Sequence, residues 1–388
     1  MSADRASLGP EELALLLVGA ADTGIVEGAL RIHRLGSRWE HQFPQEFINV
    51  VAQQGSGVHL VFETDARHIV LSAHVLAVAP EGAPEPAPTP FELAVDGVVV
   101  ARAHARQRGM VRFDPVSGTA AAIEATPAAL AFRLPAGGPH RVTLWLPHDE
   151  IVRLRGLEAD ASIRTLERSA PRWVHYGSSI SQGASAGRPT GIWPVVAAQS
   201  AGMELTNLGL SGNAVLDPFA ARTIAELPAD VISLKVGINI INNDCFTERS
   251  LGPALHGFLD IMRQAQPETP ILLTTALACP LVESVPGPTY LGPDGVFRTH
   301  GTPTDTDRGR LTLSRTREVI ADLWSARGDP NLHLVDGLGL FGTSDLRQMP
   351  MADSMHPGAP AHELIGSRFA GILTRTLSKT RLTRVVGP

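Results

Sequence analysis

Apolar and polar residues alternate along much of the first part of the chain, with the period of a strand that has one buried and one solvated face. The alternation is clear at Ala29–His33 and at Val142–Leu146. Phe91–Val95 and Val98–Val100 are separated only by Asp96-Gly97, a dipeptide typical of two-residue hairpin turns. The pattern predicts an all-β sandwich or jelly roll for this part of the chain.

After about Ser169 the pattern changes to short apolar runs that alternate with helical segments. This alternation predicts a parallel sheet with helices on both faces. We therefore predict two domains, a β-sandwich with a short N-terminal arm over residues 1–168 and an α/β domain over residues 169–388. The predicted strands of the α/β domain are Trp173–Tyr176, Leu205–Leu210, Val231–Val236, Ile271–Ala278 and Leu332–Val335. Its predicted helices are Ile192–Ala201, Pro218–Glu226, Leu251–Ala265, Leu311–Ala326 and Ala361–Leu377.

Two stretches interrupt these patterns. Ala79–Pro90 is rich in proline and is predicted to be a loop between strands, because strand patterns continue on both sides of it. Glu283–Arg310 contains four prolines and five glycines and has no convincing period. Such an insert is usually either disordered or a functional lid, and we predict a loop that faces the substrate.

Charge and cysteine content exclude several classes of function. The 33 basic residues face 39 acidic ones, and the net charge of -6 gives no electrostatic reason to expect nucleic acid or an anionic membrane as a partner. Lys235 and Lys379 are the only lysines, so arginine supplies nearly all positive charge. Cys245 and Cys279 make no disulfide framework, and no metal-binding spacing is present, so free buried thiols and no metal are expected.

The first residues of the chain bear on its location. An apolar run at Leu13–Val18 follows Glu11 and Glu12, and Arg5 alone makes no basic segment of the kind that begins a signal peptide. No run approaches the ~18 apolar residues of a membrane span. We therefore expect a short helix or arm here and a cytoplasmic protein.

Short segments rich in glycine, serine and asparagine follow three of the predicted strands, at Tyr176–Gly183, Asn207–Asn213 and Gly237–Asn239. In a parallel sheet, chemistry is found at the carboxyl ends of the strands. In Tyr176–Gly183, a strand-to-helix turn would expose the hydroxyl of Ser179 and direct backbone N–H groups at an oxyanion. Each segment alone could be an ordinary turn. The second could also be a weak phosphate-binding loop, although it lacks the GxGxxG spacing of dinucleotide sites.

Near the C-terminus, Asp353 precedes His356 by three residues. On one turn of chain, such a carboxylate can accept a hydrogen bond from the imidazole Nδ1–H, which leaves Nε2 to take a proton from a serine. The alternatives are a surface pair and a metal site, for which the sequence places no third ligand.

Taken together and in this order, the four segments resemble the motif blocks of the GDSL/SGNH hydrolase family. The resemblance covers about Arg172–Leu377 and implies a flavodoxin-like sheet with Ser179 as nucleophile, His356 as base and Asp353 as its orienting carboxylate. Ser178 and Ile240 replace aspartates of the family pattern, so the departures affect neighbours of the catalytic groups.

The resemblance also implies an oxyanion hole made by the backbone N–H groups of Ser179 and Gly212 and the side-chain amide of Asn239. Asn242 and Asn243 are close enough in sequence to leave open which amide points inward.

Other residues carry weaker expectations. His175 is expected in the core or behind the site, Asp336 is a second candidate for the orienting carboxylate, and Cys279 is expected to be inert. Four residues could contact substrate, with core packing as the alternative for the first and solvation for the others: Trp193, Tyr290, Arg298 and His300.

These residues predict acyl-ester chemistry through an acyl-enzyme, without a cofactor. The partners would be a small-molecule acyl donor, either an ester or an acyl thioester, and water or a hydroxyl acceptor. A β-sandwich ahead of such a domain resembles both carbohydrate-active esterases and GDSL-type acyltransferases that decorate tetracycline-type aromatic polyketides in actinobacteria. We favour an O-acyltransferase or esterase acting on a small intracellular molecule, such as a secondary metabolite. The alternatives are a carbohydrate O-acetyl esterase and a catalytically inactive protein that binds a glycan or partner.

Overall fold

The computed structural model describes residues 5–385, with side chains described up to residue 378. The contacts within the chain divide it into two units. The first comprises residues 1–170 and 187–190, and the second comprises residues 171–186 and 191–388. The first four residues of the predicted N-terminal arm lie outside the described part.

The first unit is built from strands, as its alternating pattern predicts. The strands β1 to β14 are Ala6–Leu8, Leu17–Val18, Asp22–Val26, Ala29–His33, His59–Thr64, His68–Pro80, Phe91–Val95, Val98–Ala103, Gly109–Phe113, Ala120–Ile123, Ala128–Arg133, His140–Trp145, Ile151–Ala159 and Ile163–Arg164. Within the described residues of this unit, one sheet has eight strands in the order β10-β9-β6-β13-β4-β3, with β1 paired to β13 and β11 paired to β6. The other has six strands in the order β14-β5-β12-β7-β8, with β2 paired to β5.

One hydrophobic core joins the two sheets, and it includes Phe62 and Leu93 of one sheet and Leu71 and Leu154 of the other. The hairpin between β7 and β8 turns at Asp96, with φ 51°, and Gly97, with φ 85°. Positive φ at both central residues is what a tight two-residue turn needs, which explains the Asp-Gly pair. The predicted all-β architecture is confirmed for this unit.

The second unit contains a parallel sheet with helices on both sides. Within its described residues, five strands are paired in the order β16-β15-β17-β18-β21. In chain order this is 2-1-3-4-5, the flavodoxin-like arrangement, so the predicted fold class is confirmed. The strands are β15 at Arg172–Gly177, β16 at Glu204–Gly209, β17 at Val231–Lys235, β18 at Ile271–Thr274 and β21 at Leu332–Val335.

Helices pack beside the sheet and follow its strands in the chain. The helix α4 packs against α11, and α7 packs against α5 and α8. The helices α1 to α11 are Pro10–Leu16, Glu46–Gln53, Ser179–Gln182, Trp193–Ala201, Pro218–Glu226, Ile238–Asn242, Glu248–Ala265, Leu313–Arg327, Gly337–Leu340, Thr343–Gln348 and Ala359–Val385. Short 3₁₀ helices are Ser37–Gln42, Pro189–Gly191, Pro280–Val282 and Pro303–Arg308.

The insert Glu283–Arg310 is more regular than its sequence pattern indicates. It contains an antiparallel hairpin of β19, Thr289–Leu291, and β20, Phe297–Thr299. These strands have three residues each, too few for a period-two pattern to stand out between prolines and glycines. The expectation of an unpatterned loop is therefore corrected to a hairpin with flanking turns.

Candidate active site

Ser179 begins the one-turn helix α3, one residue after strand β15 ends at Gly177. Ser178 is still extended, and Gly183 ends the turn in the left-handed region with φ 118°. A Cβ at Gly177 would collide with the side chain of Ser181, so glycine is needed where the strand passes beneath this turn. The turn holds the Ser179 side chain at the carboxyl edge of the sheet.

The hydroxyl of Ser179 lies 2.8 Å from Nε2 of His356, although the two residues are 177 positions apart in the chain. Nδ1 of His356 lies 2.6 Å from Oδ2 of Asp353. When Nδ1–H donates to Asp353, Nε2 is the acceptor for the hydroxyl of Ser179. The structure therefore brings the three residues of the predicted triad into one hydrogen-bonded chain.

Asp353 is held by its own loop. Its Oδ1 accepts hydrogen bonds from the backbone N–H groups of Met355 at 2.9 Å and His356 at 2.7 Å. Ser354, between Asp353 and Met355, has φ 69°, a strained value for a residue that is not glycine. Burial alone would raise the pKa of Asp353, but the hydrogen bonds from His356 and Met355 and the charge of the imidazole hold it below its ordinary value. The carboxylate thus stays ionised beside the imidazole.

The second candidate for that carboxylate, Asp336, has a different role in the structure. Its side chain accepts a hydrogen bond from the backbone N–H of Leu338 at 3.0 Å and caps the short helix α9. Its hydrogen bond to the chain is local, and the orienting contact to His356 is made by Asp353.

Three neighbouring asparagines were candidates for the inward-pointing amide. Oδ1 of Asn239 accepts from the backbone N–H of Ala214 at 3.1 Å, and Asn239 is 1% exposed. Within the described residues its Nδ2 makes no hydrogen bond, so this donor is available to a ligand. Asn242 instead donates to Sδ of Met355 at 3.2 Å, and Asn243 donates to the backbone oxygen of Gly212 at 2.7 Å.

Gly212 lies in the loop after β16, with φ 71° and open space where a Cβ would be. The left-handed backbone therefore explains the glycine better than steric crowding does. The hydrogen bond from Asn243 holds this loop against the end of helix α6, which carries Asn239.

A buried polar chain supports the Ser179 turn from behind. Nε2 of His175 lies 2.8 Å from Oγ of Ser181, and its Nδ1 lies 2.7 Å from Oγ of Ser233. Ser233 also accepts from Nε1 of Trp173 at 2.8 Å. Burial and the nearby charge of Lys235 keep the pKa of His175 well below its ordinary value, so its ring is neutral. Sequence reasoning placed His175 behind the site but did not identify Ser181 and Ser233 as its partners.

Phe297 of the insert hairpin was not anticipated as part of the site. Its ring meets that of His356 edge to face, with 5.5 Å between centroids and 72° between planes. Its backbone N–H donates to the backbone oxygen of Asp353 at 2.9 Å. The sequence around Phe297 does not indicate this contact with His356 and Asp353. The contact depends on the insert hairpin, which lies between two segments without a recognisable pattern.

Trp193 does not line a surface, so its assignment as a substrate contact is corrected. The side chain is 0% exposed and packs in an aromatic cluster with Trp173, His175 and Phe369. The helix α4 presents this face to the sheet rather than to the catalytic edge.

The three other weak candidates lie on the hairpin or directly after it. Tyr290 is 38% exposed, and its ring stacks on that of His300 with 4.1 Å between centroids. Arg298 forms an ion pair with Asp294 at 2.7 Å. The stacked pair can offer an aromatic face to a ligand, whereas Arg298 is engaged within the hairpin.

The two cysteines have no activated thiol. Burial raises the pKa of Cys279 to about 11, and its thiol donates to the backbone oxygen of Ser354 at 3.7 Å. Cys245 is exposed, so the expectation of two buried thiols is wrong for this residue, although partial burial of its thiol still raises the pKa of Cys245 to about 11. Neither is a thiolate at neutral pH.

An apolar pocket of about 410 Å³ lies next to the loop of Asp353. Its walls come from the 3₁₀ turn after β18, from α10 and from the segment before Asp353. The lining residues are Pro280, Leu281, Leu346, Pro350, Met351 and Ser354.

Within residues 5–378, no group of three or more potential metal ligands is clustered. None of the helices in the described part combines the length and the hydropathy that crossing a bilayer requires.

Comparison with known proteins finds one matching family model and several similar solved structures. Residues 171–279 match the model of the GDSL-like lipase/acylhydrolase family. The chain is similar to the solved structure of the salicylyl-acyltransferase SsfX3 from a tetracycline biosynthetic pathway, with 25% identity, a TM-score of 0.78, and coverage of 94% of this chain and 95% of that chain. No curated protein matches the chain.

Two further solved structures share the fold. A putative GDSL-like lipase from Bacteroides ovatus ATCC 8483 is 21% identical, with a TM-score of 0.67 and coverage of 97% of this chain and 98% of that chain. A family two carbohydrate esterase from Cellvibrio japonicus is 10% identical, with a TM-score of 0.59 and coverage of 97% of this chain and 99% of that chain. At these identities the likeness carries the fold alone.

Proposed function

We propose that this chain, an acyl-ester enzyme of the GDSL-like esterase and acyltransferase type, transfers an acyl group from a small-molecule donor to a hydroxyl acceptor or to water through Ser179. The observation that carries the proposal is the hydrogen-bonded chain from the hydroxyl of Ser179, through His356, to Asp353. A binding protein without activity has no need of this arrangement, in which each atom is placed for proton transfer.

In the first half of the reaction, Oγ of Ser179 attacks the acyl carbon while Nε2 of His356 takes the hydroxyl proton. The carbonyl oxygen becomes an oxyanion, which the backbone N–H groups of Ser179 and Gly212 and Nδ2 of Asn239 are proposed to hold. The donor's leaving oxygen or sulfur then departs with the proton from His356, and an acyl-serine ester remains.

In the second half, His356 takes a proton from the acceptor hydroxyl or from water, which attacks the acyl-serine carbon. Collapse of the second oxyanion returns the proton to Ser179 and releases the new ester or the free acid. The same residues serve both outcomes, so the choice depends on what is held beside His356 during the second attack.

The apolar pocket beside Asp353 supports an acyl group with a bulky hydrocarbon part. A volume of about 410 Å³ is within the range of small-molecule sites, and five of its six lining residues are apolar. Similarity to a salicylyl-acyltransferase at 25% identity over 94% of the chain supports an aromatic acyl group in particular. We therefore favour an aryl ester or aryl thioester as donor and a small hydroxylated molecule as acceptor.

The test is an assay that follows hydrolysis and transfer together, with a benzoyl or salicylyl thioester as donor and phenolic or aliphatic alcohols as acceptors. We expect a suitable acceptor to divert acyl groups from water, because a bound and oriented hydroxyl has a high effective molarity. An acetylated sugar serves as the substrate of the alternative activity. If it is deacetylated faster than aryl esters are turned over, and no acceptor competes with water, the alternative of a carbohydrate O-acetyl esterase is favoured.

The matched variants are Ser179→Ala and Ser178→Ala. Ser178 is the adjacent hydroxyl, 1% exposed and without a hydrogen bond from Oγ among the described residues. We expect Ser179→Ala to lower kcat by about 10³-fold or more and Ser178→Ala to change it little. Equal large losses in both variants, or activity that survives in Ser179→Ala, would contradict the assignment of the nucleophile.

A further inference from the structure

Lys235 is a buried cation to which the proposed mechanism gives no role. It is the last residue of β17 and is 2% exposed. No hydrogen bond or ion pair to Lys235 is formed among the described residues. Burial lowers the pKa of Lys235 to about 8, so the side chain still carries a positive charge at neutral pH.

The sheet register places Lys235 behind the Ser179 turn. His175 of β15 is paired with Ser233 of β17, and residues at paired positions share a face of the sheet. Two residues further along each strand, Gly177 and Lys235 continue the same face. The α-carbon of Gly177 faces the side chains of His175 and Ser181, which support the turn that begins with Ser179. The charge of Lys235 acts on this group, since it lowers the pKa of His175.

An unpaired buried charge is costly for folding, because transfer out of water is not offset by a partner. On the other side of Lys235, its direct neighbour on β18 is Thr274, whose hydroxyl oxygen is also buried without a hydrogen bond in the described part of the chain. Among the described residues, no carboxylate forms an ion pair that would offset the burial of the Lys235 side chain. Such local costs are often found where a charge serves catalysis.

A positive charge in this place favours two features of the acyl-transfer reaction. Negative charge develops on the oxyanion and on Oγ of Ser179 as the transition state forms, and a fixed cation in a water-poor region stabilises it. The same cation disfavours protonation of His175, so that the neutral ring keeps one donor and one acceptor for Ser181 and Ser233.

We propose that Lys235 is an electrostatic positioning residue for the reaction at Ser179. Its buried ammonium group stabilises the negative charge of the transition state, and it keeps the imidazole of His175 neutral. The inference rests on the proposed function of Ser179. Its role is exerted through the charge and requires no contact with substrate.

The test compares Lys235→Met, which keeps the length of the side chain and removes the charge, with Lys235→Gln, which also keeps hydrogen-bonding capacity. We expect kcat to fall by about tenfold or more in both variants with KM little changed, because removing a unit charge from a site of low dielectric changes the energy of a charged transition state on this scale. The midpoint of thermal unfolding should stay the same or rise in Lys235→Met, since an uncompensated buried charge is removed. Thr274→Val is the matched control at the neighbouring buried position and should leave kcat within about twofold.

Loss of activity together with higher stability is an outcome that a purely structural role would not produce. If Lys235→Met and Lys235→Gln retain the wild-type kcat, or if both lower stability and activity in parallel, the proposal is overturned. Should Lys235→Met not fold, the same criteria apply to Lys235→Gln. Ser179→Ala is measured alongside: if that variant is active, the proposed function fails, whereas an inactive Ser179→Ala with unchanged Lys235 variants rejects the role of Lys235 alone.

Discussion

The local environments of single residues explain why this site can depart from the GDSL pattern at two positions. Ser178 stands where the GDSL pattern has an aspartate, and its buried hydroxyl makes no hydrogen bond to Ser179, His356 or Asp353. Ile240 is 0% exposed, and the amide of Asn239 beside it is fixed by the N–H of Ala214. At both positions the residue that differs from the pattern is only the neighbour of Ser179 or Asn239. The side chains of Ser179 and Asn239 are themselves held by other contacts.

Asp353 and Asp336 give a first prediction, because both are candidates for the orienting carboxylate but only Asp353 contacts His356. Asp353→Asn should lower kcat by about 10²–10⁴-fold, since an amide no longer holds the correct imidazole tautomer. Asp336→Asn should leave both kcat and the thermal midpoint nearly unchanged, because the side-chain oxygen of asparagine caps a helix about as well as that of aspartate. Steady-state kinetics of the two variants check this, and collapse in Asp336→Asn with a retained rate in Asp353→Asn would move the orienting role to Asp336.

At this scale the sequence predicts residues that belong to motifs and fails for those placed by tertiary packing. Ser179, Asp353 and His356, which the resemblance to the GDSL/SGNH motifs implies, form one hydrogen-bonded chain, whereas the oxyanion roles that it implies for Gly212 and Asn239 stay predictions. Trp193 was a candidate for the pocket wall, since a helix pattern of nine mostly apolar residues does not reveal which face meets the sheet.

Among the elements, the insert hairpin is the one that modifies the site. Its strand β19 contacts helix α6, and β20 contacts the 3₁₀ helix Pro280–Val282 and brings Phe297 against His356 and Asp353. The two contacts limit the positions that the imidazole and the Asp353 loop can adopt. The hairpin therefore acts on the catalytic base as well as being a candidate for contact with substrate through Tyr290 and His300.

Phe297→Ala gives the prediction for this element. Removing the ring frees one side of His356, and we expect kcat for a small aryl ester to fall by about tenfold with little change in KM, because small displacements of a catalytic group are costly. Phe297→Leu should be intermediate. Leu291→Ala is the matched control, since Leu291 is the cross-strand partner of Phe297 but is 53% exposed. A pure rise in KM in Phe297→Ala would instead assign the ring to substrate binding.

Helices and strands with a long, regular apolar pattern were predicted correctly from the sequence, whereas those with a short pattern were not. The helix predicted at Pro218–Glu226 has those bounds in the structure, and the parallel strands lie where apolar runs predict them. The predicted strand Ile271–Ala278 ends at Thr274, although its apolar run continues. Beyond that point the chain bonds to residues near α9, such as Phe341, which hydrophobicity alone does not distinguish from strand pairing.

Across the whole molecule, buried ionisable groups determine how stability responds to pH, and the clearest case outside the site is Glu150. Its side chain is 3% exposed, and its Oε2 has no hydrogen bond among the described residues. Burial, with a smaller contribution from Asp149, raises the pKa of Glu150 to about 7 against the opposing effect of Arg108, which lies 2.6 Å from Oε1. The folded protein therefore binds a proton here at pH values where the unfolded chain has released it.

The sign of the effect follows from linkage. An unfolded glutamate has a pKa of about 4.3, so the stability that this group contributes is full below that pH and is lost as pH rises toward 7. We expect the midpoint of thermal unfolding to decline between about pH 5 and pH 7 by an amount that Glu150→Gln abolishes, because the amide keeps the shape of the side chain and does not titrate. Glu85→Gln is the matched control, since Glu85 also pairs with Arg108 but is 55% exposed. Thermal unfolding of the three proteins across this range decides the matter: an equal slope in wild type and Glu150→Gln would mean that Arg108 keeps Glu150 ionised throughout and that burial does not outweigh the ion pair.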